Sequence, residues 1–309
     1  DVDNNSTVTS LSVGYITPVS IASGKTLTGA ITVTAGSLKL TEAGTLASTI
    51  SMSGGVLDAD ESLTLSGALT QSGNITIDVA DGKTLTYSGT AISLGAYTLT
   101  LSGEGRLSNS YALVLNHASS KLLLDSITVD SVRTSLASLG LDIDNNSTVS
   151  SLTVGHTTPV SIASGRTLSG AITVSAGSIK LDEAGTLAST IAMSSGTIDA
   201  DESLTLSGAL TQSGNITIDV ADNKTLTYSG AALNLGANTL TLSGEGRLSN
   251  SYALVLNHAS SKLLLDSITV DSVRTSLASL GLDIDNNSTV TSLSVGYITP
   301  VSIASGKSL

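Results

Sequence analysis

The chain has 309 residues and a formal net charge of −12, with no Cys, Phe or Trp and only two Met. That acidic balance argues against nucleic acid and anionic membranes as partners, and zero cysteine excludes a disulfide scaffold while leaving the compartment open. The core must then come from Leu, Ile, Val and Ala, which suits a narrow stack of short strands better than a compact globule.

The stretch Ser20 to Leu46, SIASGKTLTGAITVTAGSLKLTEAGTL, reads as one complete turn of a coiled sheet. Thr26-Leu27-Thr28 is a short strand closed by Gly29, Ala30 to Val33 a second, and Ser37 to Leu40 a third. Thr41-Glu42-Ala43-Gly44 then leads into Thr45-Leu46, where the pattern restarts. Alternation with period two places Leu27, Ile31, Val33, Leu38 and Leu40 on one face, and the same rule adds Leu46, Ile50, Met52 and Leu57. Three strands this short cannot bury that face alone. Stacked on copies of themselves they form a continuous apolar interior, which is the logic of a β-solenoid.

Taking the inward residue of the first strand as a marker gives Val8, Leu27, Leu46, Leu63, Leu85, Leu99 and Leu122, then Val149. About seven rungs of roughly 20 residues is the size of a three-sided, all-β parallel β-helix. At about 4.8 Å per rung, one such series advances roughly 34 Å, and the chain holds about 15 rungs over some 70 Å. Irregular rungs mark protrusions. The shortest, Thr84 to Tyr97, reads either as a coil that has lost a side or as one misassigned by the marker, and Gly103 to Tyr111 reads as a loop or irregular corner. In Asp130 to Gly140, Val132, Leu136 and Leu139 have helical spacing, with Asp130 as N-cap and Gly140 as the residue past the end. That spacing predicts a short surface helix or turn.

A longer period overlies the rungs. Asp1 to Val8 returns as Asp142 to Val149 and as Asp283 to Val290, so the repeat is 141 residues, and 1–141 differs from 142–282 at 19 positions. The chain divides into copy 1 (1–141), copy 2 (142–282) and the start of copy 3 (283–309), read as one continuous solenoid cut from a longer array. Val2/Ile143, Leu38/Ile179, Leu57/Ile198 and Ile92/Leu233 exchange one aliphatic for another, as a packed interior requires. Tyr15/His156, Thr41/Asp182, Val56/Thr197 and Tyr97/Asn238 change chemistry and are expected to face water. No apolar run approaches membrane-spanning length, and no signal peptide is visible.

For chemistry, Asp58, Asp60 and Glu61 form the densest acidic group, with Asp78 and Asp81 a rung later and Asp199, Asp201 and Glu202 as the second copy. A polysaccharide-processing site needs paired carboxylates or a base beside metal-binding acids, with aromatics to stack on sugars. Here only Lys83 and Tyr87 lie near, so solvated turn residues are the better reading and no catalytic, cofactor or metal residue is assigned. Asp1, Asp3, Glu42, Asp58, Asp60, Asp78 and Asp81 all precede a marker strand; if they line one corner, they would suit occasional weak calcium contacts. TVT (7–9), TLT (26–28), SLT (62–64), TLT (84–86) and TLT (98–100) set hydroxyls outside in rows, the pattern ice-binding surfaces use, but Thr is also simply a good outward strand residue. His117, His258 and His156 have no triad or ligand spacing and read as loop residues. Asn5-Ser6-Thr7 and Asn74-Ile75-Thr76 match the glycosylation acceptor pattern, which such a composition produces by chance.

The succession SGKTLTGAITVTAGSLKL, LTLSGALTQSGNITIDVADGKTLTYSG and LGAYTLTLSGEGRL resembles the shaft repeats of large bacterial surface proteins, autotransporter passengers and filamentous-haemagglutinin-like adhesins. The resemblance covers the whole chain and lies in rung pattern and composition. It implies a right-handed parallel β-helix at the cell surface or outside the cell, acting as a stalk, spacer or fibre without catalysis. Its partners would be further copies of its own repeat, end to end, with room for a cell-surface or glycan receptor. The rival readings are a polysaccharide-processing β-helix enzyme and an ice- or calcium-binding module.

Overall fold

The computed structural model describes residues 1–309, and all 36 regular elements are strands, so the chain is all-β. No helix is long and apolar enough to cross a membrane. Two compact units divide the chain, Asp1–Leu152 and Thr153–Leu309.

In the first unit the coil spanning 26–40 shows the three stretches read from the sequence. Thr26–Val33 supplies the first two as one continuous strand, and Ser37–Leu40 is the third. The break expected at Gly29 is a bend within that strand, because Gly29 sits at φ 128°, a region open to glycine. Thr45–Leu46 and Thr49–Met52 pair in parallel with its two halves. Such long strands join the first and second stretches into one sheet, while the third stretches form another. That second sheet takes Ile16–Val19, Ser37–Leu40, Val56–Ala59, Ile75–Val79, Thr98–Ser102, Lys121–Leu124 and Gly140–Ile143 from this unit, which makes seven coils. In the second unit the equivalent sheet takes eight strands, from Thr158–Ile162 to Val301–Ile303, paired in parallel. A β-solenoid of about 15 turns results.

Alternation fixes the interior. Leu38, Leu57, Ile77, Leu101, Leu124 and Ile143 are successive register partners, and none is more than 1% exposed. Leu27, Ile31, Val33, Leu40, Leu46, Ile50 and Met52 are likewise buried. In the second unit Ile179, Ile198, Ile218, Leu242, Leu265 and Ile284 repeat the ladder. The exchanges Leu38/Ile179 and Leu57/Ile198 thus fall inside it, where volume matters more than branching. Tyr15 is 86% exposed, whereas Thr41, Val56 and Tyr97 are half-buried on the outer surface.

Three expectations are corrected. Leu99 and Leu122 are not first-strand markers: they pair with each other in the second sheet, and Leu85 continues instead to Leu107 and Val129. Asp130 to Gly140 holds no helix. Thr128–Thr134 is a strand with Val132 buried, and Leu136 and Leu139 stand exposed in the turn after it. Within Gly103 to Tyr111, Arg106–Asn109 is a regular strand paired with Thr84–Tyr87, and only its flanks are turns.

The coil after Tyr87 is irregular because its second strand shrinks to one bridge, Ser93 with Val114. Side chains pin it instead. The Tyr87 hydroxyl donates to the Thr90 carbonyl at 2.6 Å and accepts from the Leu69 N–H at 3.1 Å, and Gln71 Nε2 donates to the Leu94 carbonyl at 2.8 Å. Tyr228 and Gln212 make the same contacts in the second unit, to Ala231, Leu210 and Leu235. The Thr90/Ala231 exchange is tolerated there because only the backbone carbonyl is used. Burial pushes the Tyr228 phenol above its ordinary 10.0, against the downward pull of the Leu210 N–H.

Candidate functional site

Of the acidic residues expected at one corner, Asp58 and Asp78 lie elsewhere, within strands. Asp58 lies on Val56–Ala59 and Asp78 on Ile75–Val79, where they are register partners. Their burial alternates with that of Leu57 and Ala59, so both carboxylates face outward. Lys39 is the register partner of Asp58 on the other side, and Ser102 is that of Asp78. Asp60, Glu61 and the exposed Glu42 and Asp81 sit in the turns that follow third strands, and Asp1 and Asp3 are exposed near the first coil.

Cations from neighbouring coils pair with part of this charge. Lys39 Nζ reaches Asp58 at 3.1 Å and Asp60 at 2.7 Å, and Lys83 reaches Glu61 at 2.7 Å. Arg106 pairs with Asp130 at 2.5 Å and Lys121 with Asp142 at 2.6 Å. The Ser102 hydroxyl donates to Asp78 at 2.5 Å. In the second unit Lys180 pairs with Asp201 and, at 3.7 Å, with Asp199; Lys224 meets Glu202 at 2.6 Å. No group of three His, Asp or Glu side chains is placed to hold a metal ion. Tyr87, the one aromatic near the cluster in sequence, is fully buried and offers no sugar-stacking face. The arrangement is suited to fastening one coil to the next, each exposed pair contributing about 0–1 kcal/mol.

The carboxylates are not equally comfortable. Burial raises Asp58 above its ordinary 3.8, and the Lys39 ammonium beside it only partly offsets this. Asp199 is raised for the same first reason. Lys39 is raised above 10.5 by its hydrogen bonds to Asp60 and then Asp58. A carboxyl with a raised folded pKa favours folding most when protonated, so the Asp58 contribution declines as pH rises through the range just above 3.8. The Lys39 contribution has the same sign in a higher window: it is present below 10.5 and lost as pH climbs through the raised value. At neutral pH Asp58→Asn is therefore expected to move the melting temperature little, because Lys39 keeps Asp60. Lys39→Met is expected to lower it more, since Asp58, Asp60 and Asp78 then repel without a counter-charge. The gap between the two variants should close in melts near pH 4; equal melting at neutral pH would refute the assignment.

The hydroxyl rows also differ from their expected course. Thr26, Thr45, Thr64, Thr86 and Ser108 are successive register partners along the first sheet. Thr98 to Thr100 is absent from that row because it belongs to the second sheet. Beside the row lies a shallow trough of about 260 Å³ lined by Ala43, Gly44, Thr45, Ser62, Thr64 and Thr84, among others. The second unit repeats it with Ala184, Gly185, Thr186, Ser203, Thr205 and Thr225. It offers neutral hydroxyls, with no acid, base or aromatic inside.

The histidines and acceptor-pattern asparagines act on the backbone. His117 Nδ1 accepts the Ser119 N–H at 3.0 Å, and His258 does the same with Ser260. Asn5 Oδ1 accepts the Thr26 N–H and Asn74 Oδ1 the Thr98 N–H, each holding the next coil. One important polar residue escaped the sequence reading. Asn109 is 5% exposed; its amide donates to the Tyr111 and Ser131 carbonyls and its oxygen accepts the Asp130 and Ser131 N–H groups. Its only signal was a polar residue at an inward position of RLSN.

No protein family, no curated protein and no solved structure matches the chain.

Proposed function

We propose that this chain is a segment of a structural β-solenoid shaft: a spacer of tandem 141-residue copies, displayed outside a bacterial cell as part of a fibre or adhesin. The observation that carries the reading is the repetition of register. Leu38–Leu57–Ile77 returns as Ile179–Ile198–Ile218, and the Lys39–Asp58 and Arg106–Asp130 pairs return as Lys180–Asp199 and Arg247–Asp271. A chain built this way can change length by whole copies while presenting the same faces. Further copies are the partner that fits, because a register that returns unchanged offers each copy the same strands to pair with.

The test is a series of arrays with increasing copy number, imaged by electron microscopy and assayed on polysaccharides. Each added copy is expected to lengthen the particle by about 34 Å, with no sugar release. Length that does not scale with copy number would refute the spacer. Turnover that vanishes in an Asp58→Asn, Asp199→Asn double variant would favour an enzyme instead.

A further inference from the structure

We propose that Asp81–Gly82 is a site of spontaneous isoaspartate formation, and that the second copy of the repeat is protected at the equivalent Asp222–Asn223. This is the only Asp-Gly step in the chain, and there is no Asn-Gly. It occupies an exposed turn between Ile75–Val79 and Thr84–Tyr87, closed by the Lys83 N–H on the Ala80 carbonyl at 3.0 Å.

Three features favour the reaction at Asp81. Its carboxylate has no hydrogen-bond or ion-pair partner, since Lys83 is engaged by Glu61. Gly82 carries no side chain to shield its backbone nitrogen. A Cβ placed on Gly82 would meet nothing within 4 Å, so the turn stands clear of its surroundings. The other Asp residues followed by a small residue in a turn are held: Asp125 accepts Asn145 Nδ2 at 2.7 Å and Asp266 accepts Asn286 Nδ2 at 2.5 Å.

The second copy keeps the turn and alters the chemistry. Asn223 adopts φ 58°, close to the 66° of Gly82, which Asn tolerates better than most residues. Asn223 carries a side chain where Gly82 has none, and its Nδ2 donates to Asp222 Oδ2 at 2.9 Å, engaging a carboxylate that is free at Asp81. One chain therefore contains the reactive site and its own control.

The step balances without a co-reactant. The Gly82 nitrogen attacks Cγ of Asp81 in its carboxylic acid form, the amide proton and the acid's hydroxyl group leave together as water, and a five-membered succinimide forms. Water then opens either carbonyl; opening at the former α-carbonyl routes the backbone through Cβ and inserts one extra main-chain carbon. The turn lengthens between Val79, whose carbonyl accepts the Gly105 N–H, and Lys83, whose carbonyl accepts the Arg106 N–H. Both contacts to the next coil are then strained.

The experiment ages the intact chain at physiological temperature and labels it with a protein isoaspartyl methyltransferase, locating the label by digestion and fragmentation. Label is expected in the segment holding Asp81 and not in that holding Asp222. Gly82→Asn should abolish it, and Asn223→Gly should create a second labelled site. An unlabelled Asp81, or equal labelling at Asp222, overturns the proposal. A short peptide spanning 79–87, aged in parallel, shows whether an unlabelled Asp81 reflects the fold or the local sequence.

Discussion

A Leu46→Asp chain is expected to lose the folded structure of its first unit. Leu46 is fully buried, with Leu27 and Leu65 as its register partners in the coils on either side. Removing its side chain forfeits about 2–5 kcal/mol of burial and packing. The new carboxylate must then either stay charged in an apolar ladder or take up a proton, and either course costs several kcal/mol more. Together these approach the whole stability of a domain, about 5–15 kcal/mol. Thr45→Asp provides the contrast: Thr45 is one position away and lines the open trough, so its melting should shift by no more than about 0.5 kcal/mol equivalent. Circular dichroism melts of the two variants decide the matter. An unchanged Leu46→Asp transition would show that the ladder is not the stabilising core.

Why Leu46 could be chosen from sequence alone, while the path of the coil could not, has a physical cause. Period-two alternation is local, and a strand with one buried face imposes it wherever it lies. That made Leu38, Leu57 and Met52 legible. Which sheet a strand joins is a long-range property. Thr84-Leu85-Thr86 and Thr98-Leu99-Thr100 have the same local pattern, yet one pairs with Leu63–Leu65 and the other with Ile75–Val79. Only the spatial partners separate them. The helical spacing of Val132, Leu136 and Leu139 misled for a related reason. Val132 belongs to a strand and the two leucines to the exposed turn after it, so three apolar residues shared a spacing without sharing a face.

The acidic group shows the same limit in its chemistry. Sequence placed Asp58, Asp60, Glu61 and Lys83 near one another but could not say which charge meets which. The answer depends on neighbours 19 to 22 residues away: Lys39 takes Asp58 and Asp60, and Lys83 takes Glu61. Buried Asn109 and Tyr87 were illegible because a polar or aromatic residue in an apolar stripe looks like an interruption. Each instead satisfies backbone groups where the coil departs from regular pairing, at Ser131 and at Thr90.

Backbone approach between coils sets the second large effect, expected for Gly29→Ala. Gly29 bends the long strand Thr26–Val33 at φ 128°, outside the regions that residues with a Cβ populate. It also lies against the coil below. A Cβ there would stand 1.8 Å from the Val8 carbonyl oxygen, a backbone atom that cannot rotate away. The Val8 to Gly29 register is where the pairing shifts, with Leu11 taking Ile31 next, so the bulge and the bend occupy the same place. Strain at φ and displacement of the neighbouring strand should together cost roughly 3–5 kcal/mol. Gly24→Ala separates the two contributions. Gly24 also has positive φ, 72°, but its added Cβ would meet nothing within 4 Å. That variant should lose only the conformational part, about 1–2 kcal/mol. Denaturant melts of both variants beside the parent chain give the comparison. If Gly29→Ala were no worse than Gly24→Ala, the coils would not be packed closely enough at Val8 for this contact to exist.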